Sequence, residues 1–217
     1  LANGDRDVID LYSYRASFRR ITEHDNEVAK LLASKITPVK AATHHAVGND
    51  ALVVCISDVQ MGKTNAGRGT DDLEHRFDAI LAKILCHMTE TDIHELIIAD
   101  VGDCIENVEN HTSVAQITSN DLSLPEQIRM WQRLMTKAII TLAPYADHTT
   151  CLTVPSNHGQ WRRNGQQMGD ADWGISSMRA IGDAFDLRPE DWRVDFKLPT
   201  HDWDIANAIT VNGCNIV

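Results

Sequence analysis

Glu95-Leu96-Ile97-Ile98-Ala99-Asp100-Val101-Gly102-Asp103 decides how this chain is read. Five residues, four of them apolar and two β-branched, run into an acidic, glycine-containing turn. That is how a buried parallel strand looks when it ends in a polar loop. Two other stretches repeat the pattern. Ala51 to Ile56 (ALVVCI) is followed by Ser57-Asp58-Val59-Gln60, and Cys151 to Val154 (CLTV) by Pro155-Ser156-Asn157-His158-Gly159. The run at 51–56 is continuously apolar, so it is expected to be covered on both faces.

Helical patterns separate the strands. Leu73, Phe77, Ile80, Leu81, Ile84, Leu85 and Met88 share one stripe over residues 71–89. A second helix is expected from Pro125 to Leu142, with Pro125 in its first turn and Pro144 just beyond its end. A third is expected across 171–186, and 208–217 reads as strand, turn at Asn212-Gly213, strand. Alternating strands and helices predict an α/β layered core over 51–217. Residues 1–48 differ: Val8, Leu11, Tyr14, Phe18 and Ile21 recur at helical spacing, predicting an N-terminal helical arm.

Ligands in α/β sheets bind beyond the carboxyl ends of the strands. Three neighbouring parallel strands would therefore gather Asp58, Gln60, Asp103, Asn157 and His158 at one edge. Carboxylates, amide oxygens and imidazole form a hard to borderline donor set, suited to manganese, magnesium, zinc or iron. The five cysteines are odd in number and contain no Cys-x-x-Cys pair, which argues against a disulfide framework and a thiolate zinc site. Cys55 and Cys151 sit in apolar runs and are expected to pack as small hydrophobes. With 20 basic and 31 acidic residues, the net charge of −11 disfavours unspecific coating of duplex DNA. No apolar run is long enough for a membrane span and no basic-then-apolar leader opens the chain, so a cytoplasmic protein without a membrane partner is expected.

The three loops together resemble the calcineurin-like metallophosphoesterases. That family carries Asp-x-His, then Gly-Asp-x-x-(Asp/Glu), then Gly-Asn-His-(Asp/Glu), each at a strand end. The matches are Asp58-Val59-Gln60, Gly102-Asp103-Cys104-Ile105-Glu106 with Asn107, and Ser156-Asn157-His158-Gly159. The extended wording looks like a phage-type, nuclease-like branch.

The resemblance implies a metallophosphoesterase-type β-sandwich flanked by helices. It implies a hydrolase that uses two divalent metals, manganese before magnesium, zinc or iron, to activate water against a phosphodiester, with nucleic acid such as DNA as substrate. Asp58 and Gln60 would bind one metal, Asp103 would bridge the pair, and Asn157 would bind the other. His158 would be the catalytic acid beside the phosphate, and Glu106 would orient the ligands. Arg162 and Arg163 would hold the substrate phosphate.

The sequence departs from the family pattern in three places. Gln60 stands where histidine is usual, which favours manganese or magnesium. Ser156 stands for glycine. The later histidine motifs are not visible, and neither His148 nor His201 lies in a Gly-His-x-His context. Since the chain also opens at Leu1 rather than Met, truncation is expected at both ends. Two other readings remain: a binding scaffold that has lost catalytic completeness, and a protein phosphatase or small-nucleotide phosphodiesterase.

Overall fold

A computed structural model of the chain describes residues 49–107, 119–163, 166–187, 192–200, 206–211 and 214–216. All of them fall in one compact unit, Thr37–Val217. The expected N-terminal arm at 1–48 lies outside the described residues, apart from the boundary at 49.

Four parallel strands form the sheet: β1 (Ala51–Ile56), β2 (Ile93–Asp100), β3 (Ala146–Thr153) and β6 (Val194–Lys197), in the order β1-β2-β3-β6. Two antiparallel hairpins accompany it: β4 (Gln160–Arg163) with β5 (Gln166–Asp172), and β7 (Ile209–Val211) with β8 (Cys214–Ile216). Three α-helices are present among the described residues: α1 (Thr70–Glu90), α2 (Leu124–Leu142) and α3 (Trp173–Asp186).

Each crossover advances the sheet in one direction. Right-handed connections of that kind place all their helices on one face. The main core agrees: Leu96 and Ile98 of β2 and Cys151 of β3 pack with Leu81 and Met88 of α1, Trp131, Met135 and Ile139 of α2, and Met178 of α3. Alternate residues point the other way. Ile97, Ala99 and Leu152 form a second, smaller cluster with Ile209 and Val211 of β7.

The expected strands and helices near 51–56, 71–89, 95–99, 125–142, 151–154 and 171–186 are all present, as is the terminal hairpin. One expectation is corrected. β1 is an edge strand in its sheet and is not covered on both faces: Ala51, Val53 and Cys55 point outward and are exposed, while Leu52, Val54 and Ile56 face the helices. Cys55 is therefore exposed, unlike Cys151. An apolar run records composition, and cannot by itself tell an edge strand from a central one.

α2 begins at a capping box, where Ser123 N and Oγ both donate to the Glu126 carboxylate. Among the described residues, no helix is long and apolar enough to cross a membrane.

Candidate functional site

The ends of β1 and β2 do not diverge where the strands stop. Val101 N donates to Ile56 O (2.9 Å), Asp58 N to Gly102 O (3.2 Å), Gln60 N to Asp103 O (2.9 Å), Met61 N to Cys104 O (3.0 Å) and Glu106 N to Met61 O (3.0 Å). These bonds hold the Asp58-Gln60 segment alongside Gly102-Asp103. Met61 and Ile105, both fully buried, anchor the paired loops in the core.

This path requires left-handed backbone. Asp58 (φ 51°), Gln60 (42°), Asp103 (55°) and Asn107 (62°) all lie in that region, as does Gly102 (104°). Asp and Asn tolerate it better than most side chains, and Gln is less suited. Non-glycine residues of this kind cost of order 1–3 kcal/mol each and cluster at functional sites.

The third loop closes over the second. His158 N donates to Asp103 Oδ1 (3.1 Å), Asn107 Nδ2 donates to His158 O (2.8 Å), and Val154 N donates to Asp100 O (3.2 Å). Ser156 fits where the family pattern has glycine because Gly102 makes the room: a Cβ on Gly102 would lie 2.8 Å from Ser156 Cβ. Ser156 Oγ also accepts from Gly159 N (3.0 Å) and so closes the turn that carries His158.

The imidazole of His158 is oriented by the second loop. Its Nδ1 lies 2.9 Å from the carbonyl oxygen of Glu106. A carbonyl only accepts, so Nδ1 carries the hydrogen. The buried Glu106 carboxylate lies 3.6 Å from the same Nδ1 and 3.7 Å from Lys63 Nζ.

Two further acids belong to this region and were not among the expected site residues. Asp172 is 3% exposed and caps α3, accepting from Gly174 N (2.8 Å) and Ile175 N (3.0 Å), while its other oxygen accepts from Ser156 N (3.0 Å). In the sequence it lies at the second position of the helix expected across 171–186, which by itself marks no site; the observed helix starts one residue later, at Trp173. Asp100 is 1% exposed and accepts from Gly102 N (3.1 Å) and Thr153 Oγ1 (3.0 Å). Burial, with the Asp172 and Asp103 charges adding to it, pushes Asp100 up to about 6. Burial raises Asp172 as well. The same acids, after burial, push the Cys104 thiol up.

The expected residues are placed as follows. Asp58, Gln60 and Asp103 lie on the paired loops, and Asn157 and His158 lie on the loop bonded to Asp103. Arg162 is held by Gln160, whose Oε1 accepts from Nη2 (2.6 Å) and Nε (3.1 Å). Arg163 belongs to β4, and its side chain lies outside the described residues. His148 sits lower in the sheet between Glu95 (3.4 Å) and Asp195 (3.2 Å). His201 lies outside the described residues.

The fit to a divalent ion is uneven. Asp58 and Asp103 stand on adjoining loops in a neighbourhood where excess negative charge is already crowded, which suits a cation. Gln60 suits one poorly, because its amide oxygen accepts from Lys63 Nζ at 2.5 Å. Among the described residues, no group of three or more His, Cys, Asp and Glu is gathered to hold a metal. The expected set draws on the amides Gln60 and Asn157 as well.

Compared with family models, curated proteins and solved structures, the chain matches none of them.

Proposed function

We propose that the chain is a metal-dependent phosphoesterase of the calcineurin-like type, built on that family's β-sandwich and hydrolysing phosphodiesters, with nucleic acid as the substrate class. The observation that carries this reading is the joining of the three motif loops at the carboxyl edge of a parallel sheet, with His158 oriented over them by the Glu106 carbonyl.

Asp58, Asp103 and Asn157 would hold the divalent cation. When bound, it would polarise a phosphoryl oxygen and make water a competent nucleophile at neutral pH. His158 would deliver a proton from Nε2 to the departing oxygen, its ring fixed by the Nδ1–H bond. Glu106 would hold that orientation through its carbonyl, and Arg162 would meet a phosphate oxygen.

The test is hydrolysis of bis(p-nitrophenyl) phosphate and of a single-stranded oligonucleotide with manganese and with excess chelator. Manganese-dependent turnover of both, lost in Asp103→Asn, is expected. Undiminished turnover in chelator would overturn the reading. Turnover of the small ester without the oligonucleotide would restrict it to a phosphatase or small-nucleotide enzyme.

A further inference from the structure

Resting on the metal-dependent reading above, we propose that the Lys63 ammonium is itself the cation on the Gln60 side of the site, so that the centre takes one divalent ion rather than two.

Lys63 is placed by a constrained turn. Its backbone N donates to Gln60 O (3.0 Å), and its backbone is bridged to Asn120. Between them, Met61 is fully buried, and Gly62 takes φ 94° so close to Gln127 that a Cβ there would lie 2.8 Å from that side chain. Gln127 is fully buried on α2 and also accepts from Asn107 N (2.8 Å). The turn is therefore seated on the same element that steadies the second loop. Its geometry brings Nζ back onto Gln60 Oε1 and to within 3.7 Å of the Glu106 carboxylate, which is nearly buried.

An ammonium has three donors and no acceptor, and it is a compact point charge. It satisfies the amide oxygen that a metal would need. A divalent ion placed there would have to break the Lys63–Gln60 bond and then sit beside a like charge. Gln60 offers only a neutral oxygen in return, a weaker draw than the imidazole that the family pattern has at this position. Asp103 and Asn157, with Asp58, remain as ligands for one ion. Lys63 thus compensates for Gln60 electrostatically: a single side-chain charge, partly exposed, replaces a captured double one.

The experiment is a titration of the chain with Mn²⁺, following the six-line electron paramagnetic resonance signal of the free ion. A stoichiometry of one for the unaltered chain is necessary, but the variants decide. Lys63→Met should either gain a second Mn²⁺ or bind about tenfold or more tightly, since removing a like charge at this range shifts ion affinity by that order. Lys63→Arg should behave as the unaltered chain does. Lys63→Gln, which removes the charge but keeps a donor, replaces the Met variant if far-ultraviolet circular dichroism shows that variant unfolded. Two Mn²⁺ on the unaltered chain, or unchanged binding after loss of the Lys63 charge, overturns this inference and leaves the phosphoesterase reading standing. No Mn²⁺ binding by the unaltered chain or by either Lys63 variant overturns both.

Discussion

Gly102 meets two demands at once. It holds φ 104°, and its missing side chain leaves room for Ser156. Gly102→Ala should destabilise the fold by about 2–4 kcal/mol, combining left-handed strain with overpacking, as read from urea midpoints at constant m-value. Asp100 makes a prediction about pH. Its carboxyl titrates near 6 in the folded chain, against an ordinary value of 3.8. Between those values the folded state keeps a proton that the unfolded state has released. Its contribution to stability is therefore highest below pH about 4 and falls as pH rises towards about 6, by on the order of 3 kcal/mol in full. Asp100→Asn should flatten that segment of the stability profile, and an unchanged slope between pH 4 and 6.5 would refute the assignment. His158→Ala should cut turnover by about 10²–10⁴-fold while Mn²⁺ binding stays near normal. Loss of binding would make His158 a ligand.

Among the elements, α3 does more than pack. Its N-cap, Asp172, spends one oxygen on the helix and the other on the loop that carries His158. Asp172→Ala should cost about 2 kcal/mol, from the lost cap and the stranded Ser156 amide. Asp172→Asn, which keeps an acceptor, should cost less, and both are measurable by chemical denaturation. This double use was not legible in the sequence. An Asp before a helix announces a cap, but nothing local announces that its second oxygen crosses to residue 156. The motif loops were legible, because an apolar run followed at once by Asp, Gly or Asn leaves few alternatives. β4 and β5 were missed: residues 160–172 are mostly polar or glycine, and Trp161, Met168 and Ala171 are too scattered to give an apolar alternation. β6 was missed for a related reason, being four residues with two charges. Lys63 was not among the expected site residues. Its contact with Gln60 depends on a turn set by buried Met61 and Gln127, residues whose effect is felt only in three dimensions.

At the scale of the molecule, the described residues cover the two faces of the sheet unequally. Among the described residues, three helices lie on one, whereas the β7–β8 hairpin packs on β2 and β3 on the other, and the outward side chains of β1 are exposed. Thiol chemistry should report this directly. Cys55 and Cys86 should react with a maleimide in the native chain, while Cys104 and Cys151 react only after unfolding, as peptide mapping by mass spectrometry would show. Protection of Cys55 would mean that the outer face of β1 is covered. The alternation of helix and strand in the sequence foretold the parallel order. It could not foretell which strand ends at the edge, since that depends on the direction in which successive crossovers build.

The left-handed residues at 58, 60, 103 and 107 set selection for durability against selection for chemistry. Glycine would relax the backbone at each, but at 103 and 107 it would also remove side chains bonded to the third loop; Gln60→Gly is the change with most to gain, because glutamine suits that conformation least. A random library of this chain screened only for heat tolerance should therefore enrich glycine at 58 and 60, where the side chains carry no buried bond, discarding their oxygen donors. A library screened for turnover should keep them and recover its stability from sites far from the strand ends.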